Sequence, residues 1–167
     1  MKHALVMLIT LMVCITNTAI ASEDGLFFDF HGKPQSVESF MGDDKWLVMM
    51  IWAANCHICN EEAESYARLH ENNKNIRVLG LSIDGLANKG SAESFIETHD
   101  LPFPNLISNT ADVMLYYQAQ TVAQFVGTPT FLVFNPDGEL MAAKTGAVPT
   151  KVIQKFIASK SSSSKLN

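Results

Sequence analysis

The segment Trp46-Leu47-Val48-Met49-Met50-Ile51-Trp52-Ala53-Ala54-Asn55-Cys56-His57-Ile58-Cys59 joins an unbroken apolar run to a close pair of cysteines. A run of this length without polar alternation suits a β-strand buried on both faces, as in parallel sheets. Asn55 is a candidate cap for a helix that starts near Cys56 and ends near Glu71. Ile76 to Ile83 is a second buried strand, so strand, helix and strand form one parallel crossover unit. The cysteines then lie where a parallel strand hands over to a helix, the place where active groups gather in open α/β sheets.

Residues i and i+3 are neighbours on a helix, so Cys56 and Cys59 can join with little backbone movement. Their surroundings should differ. Cys56 meets the unpaired N–H groups and positive dipole end of the helix, which favour a thiolate, whereas Cys59 falls inside the first turn. Cys56 is therefore the expected nucleophile and Cys59 the resolving thiol. A structural zinc site is the competing use of such a pair, but zinc usually takes four ligands, and only scattered histidines such as His70 and His99 could complete the set. An inert structural disulfide is the other alternative.

The rest of the chain extends this unit. Residues 28–37 read as two short strands around a turn at Gly32, and Gly42-Asp43-Asp44-Lys45 interrupts the chain before the buried strand. Residues 84–117 read as an insertion with a helix from Ser91 to His99, a Leu101-Pro-Phe-Pro104 break, a short Leu106-Ile107 segment and a second helix from Asp112. Asn135-Pro-Asp-Gly138 is a hairpin signal between Thr130–Phe134 and Leu140–Lys144. A closing helix from Thr150 to Ser159 carries Val152, Ile153, Phe156 and Ile157 on one side. The Ser-rich residues 160–167 are expected to be disordered. His31, His70, His99 and Asp84 read as surface groups. Met49, Met50, Met114 and Met141 read as core filler, without metal-binding spacing.

Lys2, the apolar run Ala4 to Ile15 and the ending Ala19-Ile20-Ala21 have the form of a secretory signal peptide spanning residues 1–21, with export to the periplasm. The run is shorter than the roughly 20 residues that span a bilayer, so no stable membrane insertion is expected after cleavage. A lipidated Cys14 is the weaker alternative, since Val13 is large for a lipoprotein box. The remainder of the 167 residues suits one domain, residues 22–159. The formal charge of −5, without Lys/Arg clusters, offers no footprint for nucleic acid. Beyond Cys14, the chain holds just two cysteines, too few for a disulfide-stapled scaffold.

Trp52-Ala53-Ala54-Asn55-Cys56-His57-Ile58-Cys59, followed by Gly127-Thr128-Pro129-Thr130 entering a strand, resembles the active-site segments of the thioredoxin superfamily. With the N-terminal hairpin, the insertion and the export signal, the likeness narrows to the TlpA/ResA-like thiol–disulfide oxidoreductases. The resemblance implies an α/β thioredoxin-like fold, a central mixed sheet flanked by helices, and a cis bond before Pro129 beside the disulfide. It also implies a substrate-binding surface at Thr128 and Pro129, with Trp52 as a wall, and protein disulfides or dithiols as substrates. A membrane electron donor is the implied partner, and neither metal nor cofactor is required. Three residues depart from or qualify the pattern. His57 and Ile58 replace the usual enclosed proline, and the His57 imidazolium can favour the Cys56 thiolate. Met50 stands where thioredoxin keeps a buried aspartate. Glu62 matches a glutamate of this branch and is a candidate proton carrier, or else a solvated helix charge. The function expected is reduction of periplasmic disulfides. The alternatives are a non-catalytic binding or chaperone-like module and a disulfide oxidase.

Overall fold

The computed structural model describes residues 26–163. The expected signal peptide, residues 1–21 with Cys14, lies outside the described residues, as do residues 164–167 of the tail. The strands are β1 (Phe27–Phe28), β2 (Pro34–Gln35), β3 (Trp46–Trp52), β4 (Ile76–Ser82), β5 (Asn105–Ile107), β6 (Thr130–Phe134) and β7 (Leu140–Thr145). The helices are α1 (His57–Asn72), α2 (Lys89–Thr98), α3 (Thr110–Thr121) and α4 (Thr150–Ser163). The strands form one mixed sheet in the order β2-β1-β5-β4-β3-β6-β7. The central strands β3, β4 and β5 run parallel, and β6 lies antiparallel against β3. This is the thioredoxin-like α/β arrangement.

Strand β3 is buried along its whole length, and its alternation explains the layers. Trp46, Val48, Met50 and Trp52 face a core shared with Ala63 and Tyr66 of α1, Phe95 of α2 and Ile153 and Ile157 of α4. Leu47, Met49 and Ile51 face the opposite core, with Val113, Tyr116 and Tyr117 of α3. A strand of period two can feed two cores only if every residue is apolar, which is why no polar residue interrupts Trp46–Trp52.

The segment expected as an insertion, residues 84–117, supplies α2, β5 and the start of α3, and β5 is woven into the sheet between β4 and β1. Three expectations need correction. Helix α4 continues to Ser163, so residues 160–163 are helical and not disordered. Their serines bond back along the helix, Ser161 Oγ to the Ile157 carbonyl and Ser162 Oγ to that of Ala158, each at 2.9 Å. Val152 is 56% exposed and stands off the buried face made by Ile153 and Ile157. Met114 is likewise exposed on α3, while Met49 and Met50 are core residues as expected.

His70 is not a free surface group. Strand β5 pairs with β4 only over Gly80–Ser82, and upstream of it the Val78 N–H donates to His70 Nδ1 at 3.1 Å. A neutral ring accepts this bond, whereas protonation sets two donors face to face. Burial, then Lys45 and Arg77, hold the His70 pKa below the ordinary histidine value against an opposing effect of Glu71. The unfolded chain therefore binds the proton more readily. The stabilisation is complete above about pH 6.5 and declines as pH falls through that value. His70→Gln offers an amide oxygen to the same N–H without titrating. Its urea midpoint should fall less than that of the wild type between pH 8 and pH 5, and equal falls would remove His70 from the pH dependence.

Candidate active site

Cys56 and Cys59 form a disulfide at the N-terminus of α1, with their Cα atoms 5.2 Å apart. The helix begins at His57, and its N-cap is Cys56 in extended conformation, not Asn55 as the sequence suggested. The Cys56 sulfur accepts the backbone N–H of Cys59 at 3.1 Å. That bond uses one of the orphan donors of the first turn, the task a serine or asparagine oxygen ordinarily performs. Cys59 is 0% exposed, and Cys56 is half-buried at the rim of the same core. The asymmetry expected from helix position is present: one sulfur is reachable and the other is enclosed.

Trp52 is 0% exposed, so its side chain lies behind the disulfide and not on the surface. It is a wall of the site. Its ring stacks on Phe95 with centroids 4.2 Å apart, and its Nε1–H donates to Asn105 Oδ1 at 3.3 Å. Gly80 makes this possible, because a side chain there would overlap the Asn105 amide and come within 2.8 Å of Trp52 Nε1.

Across the sheet, the register Ile51↔Thr130 brings the start of β6 to the end of β3. The Thr128–Pro129 bond is cis. Thr130 Oγ1 donates to the Gly127 carbonyl at 2.6 Å, and the Pro129 carbonyl accepts from Gly146 N at 2.9 Å. Pro129 is buried and Thr128 half-exposed. The loop carrying Thr128 and Pro129 and the loop carrying Cys56 thus leave the sheet at the same end.

The charged neighbours are arranged less simply than expected. The His57 side chain is 86% exposed, and its Nε2 lies 3.3 Å from Glu61 Oε1. Glu62 is half-buried one helical turn beyond Cys59; burial, then repulsion from Glu61, raises its pKa above the ordinary value. Met50 is fully buried on β3.

Two residues read from sequence as surface groups belong to the site. Asp84 Oδ2 accepts the Ala54 N–H at 3.0 Å and the Ser82 hydroxyl at 2.7 Å. His99 Nε2 lies 2.9 Å from Asn60 Oδ1, and Asn60 Nδ2 donates to the Cys56 carbonyl at 2.8 Å. Asp84 was legible in principle, since Ser82 pairs with Trp52 and Asp84 comes next but one, at the carboxyl end of β4. His99 carried no sequence signal, because its place depends on how α2 packs. His31 is exposed. Among the described residues, no group of three or more His, Cys, Asp or Glu side chains is arranged to hold a metal ion.

Comparison with known proteins agrees with this geometry. Residues 19–143 match the AhpC/TSA family. A secreted Mycobacterium tuberculosis disulfide oxidoreductase homologous to E. coli DsbE has a similar structure. It is 21% identical, with a TM-score of 0.59 over 78% of this chain and 92% of that one. StoA from Bacillus subtilis is 17% identical, with a TM-score of 0.60 over 79% of this chain and 94% of its own. A thiol:disulfide interchange protein of the thioredoxin family from Chlorobium tepidum is 15% identical, with a TM-score of 0.62 over 78% and 88%. These likenesses are likenesses of fold. A search of curated proteins finds no match.

The wall behind the disulfide gives a direct test. Gly80→Ala forces the Asn105 amide and Trp52 indole apart, and overpacking of this kind costs about 1–3 kcal/mol. Urea unfolding should show that loss, together with altered Trp fluorescence. An unchanged midpoint would mean that the wall yields freely.

Proposed function

The chain belongs to the AhpC/TSA family, and we propose that it is an exported thiol–disulfide oxidoreductase that reduces disulfides of periplasmic proteins. The observation that carries this reading is the inequality of the two sulfurs: Cys56 caps α1 and is reachable, while Cys59 is enclosed. A helix N-terminus and a donated N–H both favour the Cys56 thiolate. That thiolate attacks a substrate sulfur, forming a mixed disulfide and releasing the other substrate sulfur as a thiolate. Cys59, once deprotonated, attacks the Cys56 sulfur. The second substrate thiol leaves, and the Cys56–Cys59 disulfide holds the two electrons' worth of oxidation. Thr128 and Pro129 offer an extended partner a backbone to lie against. A membrane carrier returns electrons to the pair.

Reduction of insulin at catalytic concentration tests the activity, and limited iodoacetamide labelling of the dithiol form tests the roles. Turnover is expected in the wild type and not in Cys56→Ser, with label on Cys56. Absence of turnover would favour a binding module, and label on Cys59 would reverse the roles. In glutathione buffers the pair should equilibrate below about −180 mV, and a value near −120 mV would make the protein an oxidase. His57→Ala should move that value by less than about 45 mV, the shift that roughly 2 kcal/mol of lost thiolate stabilisation corresponds to.

Glu62 is the proton carrier for Cys59 in this reading. Its raised pKa means that folding favours the protonated form, so its contribution to stability is present below the ordinary carboxylate value and lost as pH rises through the shifted one. Glu62→Gln should therefore be at least as stable as the wild type at pH 7 and yet slower in insulin reduction, with a flatter pH profile. A variant of unchanged rate would leave Glu62 only a helix charge.

The short apolar run and Ala19-Ile20-Ala21 support export. The protein isolated from its host should begin at Ser22 by mass spectrometry, and an intact Met1 or a lipidated Cys14 would overturn this.

A further inference from the structure

The last acidic side chain of the sequence is Glu139. The described residues beyond it, in β7, α4 and the loop between them, carry Lys144, Lys151, Lys155 and Lys160 and no acid, in a chain of formal charge −5. None of the ion pairs among the described residues uses any of these four lysines. The β7 edge of the sheet is therefore cationic in an acidic chain.

The same edge holds an apolar groove of about 320 Å³ between β6, β7 and α4. Its floor is Phe131 and Val133 of β6, and Ile153 and Phe156 of α4 form the facing wall. The ladder explains why the space stays open. Phe131 lies opposite Lys144, and Val133 opposite Ala142. On this face β7 thus offers one small side chain and one long flexible one, where two branched apolar residues would fill the gap. Ala147, in the loop that follows, adds only a methyl group. Among the described residues no Asp or Glu lines the groove, and Lys144 is its one charged lining residue. A second ammonium stands beside it, because Lys160 Nζ lies 5.7 Å from the centre of the Phe156 ring.

These features select a ligand class. An apolar slot with ammonium groups at its mouth complements a molecule with an apolar body and an anionic end. A peptide laid in the slot would bring N–H and C=O groups that its apolar side chains cannot pair, each a cost when buried. A hydrocarbon chain brings none. The volume stands at the low end of small-molecule sites, about 300–1,000 Å³, which favours a single chain over the two of a phospholipid. We propose that this groove binds a free single-chain amphiphile, a medium-chain carboxylate, with its hydrocarbon against Phe131, Val133 and Phe156. Its carboxylate is drawn to Lys144, with Lys160 as the second cation. Binding there asks for no change at Cys56 or Cys59, so the site stands apart from the redox reading.

The experiment titrates decanoate, below its micelle-forming concentration, into the full oxidised chain, followed by calorimetry and Trp fluorescence. Trp46 is the reporter, its ring edge-on to Phe156 with centroids 6.4 Å apart. Saturable one-to-one binding is expected, tighter than that of octanoate by up to about fourfold per methylene. Decanol should bind about fivefold more weakly, the worth of one exposed ion pair. Lys144→Gln should lose a similar factor, whereas Lys151→Gln, outside the groove lining, should change nothing. Ala142→Leu and Ala147→Leu fill the groove and should abolish binding. Ala147 is exposed, so its variant decides should Ala142→Leu fail to fold. No saturable binding, or binding untouched by the leucine variants, would overturn the proposal. Equal affinity for decanol, or equal losses in Lys144→Gln and Lys151→Gln, would overturn the carboxylate site. Phosphatidylglycerol vesicles supply a further arm. Sedimentation with them that survives Ala147→Leu, in the absence of decanoate binding, would make the lysines a membrane patch and overturn the groove. A dimer that dissociates on Ala147→Leu would make a second copy the occupant, with the same consequence.

Discussion

At the start of α1 the backbone N–H of Cys59 needs an acceptor, and the sulfur of Cys56 supplies it. The folding need and the chemical one coincide in this bond. A helix N-terminus leaves donors without intrahelical partners, and an anionic sulfur satisfies a donor better than a neutral thiol does. The same geometry that starts the helix therefore favours the reactive thiolate. It also turns Cys59 inward, because a residue three positions after the cap lies over the core side of the first turn. The bond depends in turn on where β3 stops. Were the strand one residue longer, the alternation of side chains would reverse, and the helix would begin over the wrong core.

The two aromatic stacks give that helix its rigid seat. Trp52 against Phe95 ties β3 to α2. Tyr66 against Phe131, with centroids 4.6 Å apart, ties α1 to β6, and the Tyr66 hydroxyl reaches the Val148 carbonyl at 2.8 Å. Such pairs contribute about 0.5–1.5 kcal/mol beyond their buried area. Their placement matters more than their energy here. Both stacks belong to the core that encloses Cys59, so the resolving sulfur is held between α1 and the strand that begins after Pro129. Cys59 thus sits inside this core, and Cys56 at its rim.

Much of this was readable from the residues because it rests on local patterns. The apolar run at Trp46–Trp52, the cysteine spacing, the Asn135-Pro-Asp-Gly138 turn and the β4 strand each announce themselves within a short window. The features that escaped the reading depend on distant packing. Asn55 has the chemistry of a cap, yet Cys56 holds the position, because the extended backbone continues one residue further. His70 and His99 look alike as isolated histidines. One accepts from the unpaired flank of β4, and the other donates to Asn60. The serines after Ser159 suggest disorder by composition, but their hydroxyls bond back to helix carbonyls and the turn continues.

The placement of carboxylates shows how the site manages without an acid beneath the disulfide. Met50 fills the β3 position where thioredoxin keeps its aspartate, and it is fully buried. Asp84 and Glu62 lie on the elements around the pair, and their surroundings differ. Asp84 presents one oxygen to two donors, the Ala54 N–H and the Ser82 hydroxyl. Asp84 is thereby suited to holding the backbone of the turn before α1. Glu62 is pushed by burial and by Glu61 towards its protonated form, the direction a proton carrier requires if it is to exchange with a thiol. Moving the acid from β3 to α1 also moves it onto the element that carries Cys59, one turn away. Glu62 and Cys59 then share one helix, and their spacing does not depend on how that helix packs against the sheet.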